Sequence, residues 1–173
     1  DQPKDADQPA QPLQAAPAPT ASTPKNDKGN GFWGNTITVI NNFADKVLNL
    51  TLKDVKIDVS DTGSYWVEGK AALSVQGKGN VEIELDGENE LKSGKYRAGL
   101  EKNTFTSTSF SISTGTLTLK DDNKEAGSLT ATGGYNGAGI GGGNGDGAEN
   151  ITITGGTVTA TGGENGAGIG GGD

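Results

Sequence analysis

The stretch SLTATGGYNGAGIGGG, residues 128–143, returns as TVTATGGENGAGIGGG, residues 157–172, and its strand-like half and its glycine-rich half move by the same 29 positions. Two blocks displaced by one shared offset define the length of a structural unit. Repeats of roughly 20–50 residues are the mark of a solenoid. Weaker copies carry the register towards the N-terminus: Ala138, Gly139 and Ile140 align with Ala98, Gly99 and Leu100, and again with Ala71, Ala72 and Leu73. The alternating pair Ile151/Ile153 aligns with Leu117/Leu119, with Ile83/Leu85 and with Leu50/Leu52.

Within each unit the apolar residues alternate, as in Val81, Ile83 and Leu85 or Val158 and Ala160, which is the period of a half-buried strand. No helical spacing persists over ten residues. A single unit cannot cover its own inward face, so the units must stack, with equivalent strands paired in parallel about 4.8 Å apart. The expected fold is all-β: a single-stranded parallel β-helix of about four coils, right-handed by the general preference of such crossovers. Leu100, Ile140 and Ile169 are expected in one interior column, with Ala138 and Ala167 filling the corner beside them. A larger side chain there should cost about 1–3 kcal/mol through overpacking. The glycines of residues 137–143 are expected to turn the coil, because glycine accepts positive φ.

The two ends read differently. All the prolines lie between Pro3 and Pro24, among Gln, Ala, Asp and Thr, so residues 1–30 are expected to be a disordered linker. Residues 31–173 form the repeat domain. Its first part, 31–48, carries Phe32, Trp33, Ile37, Val39, Ile40 and Phe43 and is expected to cap the first coil. Residues 170–173 follow directly on a repeat corner with nothing resembling a cap, so the C-terminal end is expected to be truncated and the chain to belong to a longer, multidomain protein.

Composition removes most chemistry. The sequence has no Cys, no His and no Met, which excludes disulfides, thiolate or imidazole metal sites and His-based acid–base catalysis. A net charge of −8, with Arg97 as the sole arginine, argues against nucleic acid and anionic membranes as partners. No apolar run approaches the ~20 residues of a membrane span, and the chain does not open on a signal-peptide pattern. The expected location is extracellular, secreted or cell-wall attached, by analogy of composition.

The strings ITITGGTVTATGGENGAGIGGG, residues 151–172, and KAALSVQGKGNVEIELDGENELKSGKYRAGLEKN, residues 70–103, resemble the carbohydrate-binding-domain-containing β-helix proteins of Gram-positive bacterial surfaces. The resemblance spans roughly residues 48–173. It implies a pectate-lyase-like shape and binding of an extracellular polysaccharide, with calcium in some members.

Candidate sites follow from chemistry. Sugar recognition uses exposed aromatic faces flanked by polar groups. Tyr65 and Trp66, in a polar connection, are the best placed, followed by Tyr96, Arg97 and Tyr135 at coil corners; Val67 beside Trp66 equally suits a buried strand. No catalytic residue is expected: lyase chemistry on such a scaffold needs a carboxylate-bound calcium and a basic residue, and Arg97 reads as a surface group. No cofactor is required. Calcium is an optional ligand, for which Asn144, Asp146 and Glu149 offer oxygen donors in one glycine-rich loop and Asp121 and Asp122, with Glu125, in another. Ordinary Asn/Asp turns account for both loops equally well. Two rival functions remain: a stalk or adhesin segment with no ligand, and ice binding through outward threonines such as Thr130 and Thr159.

Overall fold

The computed structural model describes residues 28–104 and 112–173. Nearly all of the expected linker therefore lies outside the described residues. Among them the regular structure is entirely β: β1 (Ile37–Ile40), β2 (Val47–Lys53), β3 (Lys56–Asp58), β4 (Leu73–Gln76), β5 (Asn80–Lys92), β6 (Leu100–Glu101), β7 (Leu117–Lys120), β8 (Gly127–Thr132), β9 (Ile140–Gly141), β10 (Ile151–Ile153), β11 (Thr157–Thr161) and β12 (Ile169–Gly170).

These strands build three parallel ladders that the chain visits in rotation. The first runs β1-β4-β6-β9-β12. The second joins β2, the first half of β5, β7 and β10. The third joins β3, the second half of β5, β8 and β11. β5 serves both because it bends at Gly87, whose φ of 62° puts it in the left-handed region. Repeated passage through three parallel ladders is a parallel β-helix. The stretch expected as a cap is built into the ladders: β1 pairs with β4 from Ile37 and Leu73 onward, and Ile40 and Phe43 are exposed.

The core is the sum of the inward columns. Leu73, Leu100, Ile140 and Ile169 are successive partners, extended at the other end by Ile37. Leu73, Leu100 and Ile140 are fully buried, whereas Ile169 is 50% exposed because no further rung of the described chain covers it. At about 25 cal/mol per Å² of apolar surface, each enclosed Leu or Ile contributes about 1.5–3 kcal/mol.

One alignment is corrected. Leu117 and Leu119 lie beside Val81 and Ile83, not beside Ile83 and Leu85. A slip of two residues keeps every side chain on its own face, so apolar alternation is blind to it. The corner decides instead: the Asn80 side-chain oxygen accepts from the Thr116 N–H at 2.9 Å and sets where β7 begins.

A polar residue also stands in an apolar column. Asn89 partners Leu129 and is 2% exposed. Its Nδ2 reaches the carbonyls of Leu52, Asp86 and Ser128 at 3.1–3.2 Å, and its Oδ1 accepts from the Val55 N–H at 2.9 Å. Satisfied in this way, its burial ties three rungs together at the bend of β5.

Candidate functional site

The corner between the third and first ladders is formed by residues 59–72, 93–99, 133–139 and 162–168, on successive rungs. The backbones approach closely here. A Cβ on Gly134 would run into the Gly94 carbonyl, and one on Gly163 into that of Gly134. This column of glycines lets the residues that follow them stack.

Aromatic side chains gather on that corner. Ser64 and Val67 exchange hydrogen bonds of 2.8 and 3.3 Å, closing a tight hairpin with Tyr65 and Trp66 at its tip. Tyr65 is 69% exposed and Trp66 87%, with rings edge to face at 4.6 Å. One rung on, the Tyr96 hydroxyl donates to the Tyr65 carbonyl at 2.9 Å, and the Tyr96 ring meets Tyr135 edge to face at 5.9 Å. Tyr96 occupies the left-handed region with φ of 69°, as does Asn136 with φ of 61° on the next rung. For a non-glycine residue this costs about 1–3 kcal/mol, and such outliers concentrate at functional sites. Four residues expected to contact a glycan thus form one continuous surface.

Arg97, the fifth, has a different duty. Its Nε and Nη2 donate to the Glu101 carboxylate at 2.7 and 2.5 Å, and the Ala98 N–H donates to the same group at 3.3 Å. The Glu101 side chain is 1% exposed, that of Arg97 23%. Hydrogen bonding to Glu101 holds the guanidinium pKa above its ordinary value, against the opposing effect of burial. Arg97 therefore anchors a buried carboxylate in the wall beneath the aromatic surface.

Side chains of both oxygen-rich loops are engaged within the fold. The Asn144 side-chain oxygen accepts from Asn136 at 2.8 Å. Asp146 is buried and close enough to Arg97 to favour its charged form. The Glu149 side is exposed, while its backbone carbonyl accepts from the Lys102 ammonium at 2.9 Å. In the other loop, the Asp121 carboxylate accepts from the Gly127 N–H at 3.1 Å, Asp122 faces Lys120 at 3.8 Å, and Glu125 pairs with Lys53 at 2.8 Å. Among the described residues no three acidic side chains gather as metal ligands would.

No local pattern in the sequence singles out Glu101 and Lys102. Both are fully buried, because residues 103–104, 113 and 142–149 fold over β6. Lys102 donates to Thr104 Oγ1, the Ser113 carbonyl and the Glu149 carbonyl at 3.2, 3.0 and 2.9 Å. Burial lowers its pKa. The one available signal was Glu101 four residues after the lone arginine.

The threonines do form columns. Ser128, Thr130 and Thr132 partner Thr157, Thr159 and Thr161. On the preceding rung the same columns carry Glu88, Glu90 and Lys92.

A family model described as Beta helix repeat matches residues 125–144 and 151–173, the segments that contain β8, β9, β10, β11 and β12. Comparison with curated proteins and with solved structures gives no match. The ladders make the described chain a parallel β-helix, and the repeat match covers its last strands.

Proposed function

We propose that this chain is a non-catalytic carbohydrate-binding module, part of a longer extracellular protein of a Gram-positive bacterial surface, wound as a right-handed single-stranded β-helix of about four coils. The observation that carries the reading is the exposed aromatic surface of Trp66, Tyr65, Tyr96 and Tyr135 on one corner of a rigid solenoid. Aromatic rings with a polar handle stack on the apolar faces of sugars, and a strand-built frame holds them at fixed spacing. Trp66 at 87% exposure contributes little to the core, which favours a platform over packing. Binding needs no cofactor, and the polymer is the partner; neither nucleic acid nor a membrane is.

The threonine columns favour a second reading as an ice-binding face, yet Glu88, Glu90 and Lys92 break that face one rung away. A third reading makes the coils a stalk. Retention on neutral and acidic polysaccharides, with and without calcium, separates them. Polysaccharide binding weakened by about tenfold or more in Trp66→Ala supports the module, thermal hysteresis the ice-binding face, and silence in both assays the stalk. Binding that survives Trp66→Ala unchanged would overturn the aromatic corner as the site.

A further inference from the structure

The perpendicular packing within each aromatic pair divides the work between its members. Two rings edge to face cannot both lie flat against one ligand. In the first pair Trp66 is the more exposed ring, at 87% against 69% for Tyr65. In the second, Tyr135 is exposed and Tyr96 only partly so, its hydroxyl tied to the Tyr65 carbonyl. Trp66 and Tyr135 are thus the platforms, and Tyr65 and Tyr96 support them from the side.

The platforms belong to connections two rungs apart. Parallel rungs repeat at about 4.8 Å, which separates the platforms by about 10 Å along the solenoid axis. One rung is close to the length of one pyranose unit in an extended chain. In a glycan with a two-fold twist, units i and i+2 present the same face. A chain laid along the axis therefore offers equivalent faces to both rings, whereas a chain laid across it leaves the corner after one ring and meets the charged and hydroxylated outer faces of the strands. The charges near the corner are mixed, with Lys70 and Lys95 against Glu68 and Glu164, and the whole chain carries −8, so a polyanion gains nothing.

Resting on the glycan-binding reading, we infer that the ligand is a linear, neutral, extended polysaccharide bound lengthwise along the axis, with Trp66 and Tyr135 stacked on units i and i+2. The test is calorimetric titration with cello- and manno-oligosaccharides of two to six units, and with galacturonate oligomers of the same lengths. A disaccharide reaches one platform and a trisaccharide or longer reaches both, so affinity should rise by roughly tenfold or more between two and four units, as the second contact becomes intramolecular. Trp66→Ala should remove that step and leave every oligomer with the weak affinity of the one remaining platform, with an unaltered melting temperature because the side chain is 87% exposed. Tyr135→Ala should do the same to the step. Affinity independent of length would overturn lengthwise binding while leaving glycan recognition standing. A preference for galacturonates would overturn the neutral assignment, and no binding by any oligomer would remove both readings.

Discussion

Removing the guanidinium of Arg97 exposes the energetic role of the charge pair beneath the corner. Glu101 is sealed in the wall with its side chain 1% exposed and both oxygens engaged by Arg97. Among the described residues, Arg97→Ala leaves that carboxylate with the Ala98 N–H at 3.3 Å. Breaking a buried pair by deleting one partner costs about 3–5 kcal/mol, because the remaining charge stays desolvated. The Arg97 side chain retains 23% exposure, which admits some water and places the cost near the low end, at about 3 kcal/mol. For a domain of this size that corresponds to roughly 6–12 °C in Tm. Urea unfolding of Arg97→Ala, Glu101→Gln and the double variant Arg97→Met/Glu101→Leu measures it. The double variant should recover most of the loss, since two apolar side chains need no partner. The reasoning is refuted if Arg97→Ala costs under about 1 kcal/mol, or if the double variant is as unstable as the sum of the single ones.

Other expectations follow from the same frame. Ile140→Ala should destabilise by about 2–5 kcal/mol in denaturant unfolding, and Ile169→Ala, in the same column but half exposed, by much less. Gly134→Ala should lower the melting temperature, and loosen the Tyr96–Tyr135 contact, because its methyl meets the Gly94 carbonyl; an unchanged near-ultraviolet circular dichroism spectrum would contradict this. Lys102 carries a pKa lowered by burial from the ordinary 10.5, so between its folded value and 10.5 the unfolded chain binds more protons. The stability of the native chain relative to Lys102→Met should therefore rise with pH through that window and level off above it, and a falling difference would reverse the sign of the shift.

The identical spacing of two sequence blocks and the strict alternation of Val, Ile and Leu were enough to establish stacked strands, parallel pairing and the column of Leu100, Ile140 and Ile169, because periodicity and burial are written locally. The aromatic candidates were legible for the same reason: each sits between two recognisable strands. Tertiary structure alone decided the two-residue register of β7, since alternation repeats every two residues and the choice falls to the hydrogen bond that the Asn80 side-chain oxygen accepts from the Thr116 N–H. It also decided that Arg97 turns to the wall, and that Glu101 and Lys102 lose their solvent, because distant loops fold over β6 and no local pattern announces a cover. The meeting of Trp66, Tyr65, Tyr96 and Tyr135 on one corner depends on stacking across rungs, where residues 31 and 39 apart in the chain become neighbours. Local chemistry selects the side chains, and the closing of each coil onto the next brings them together.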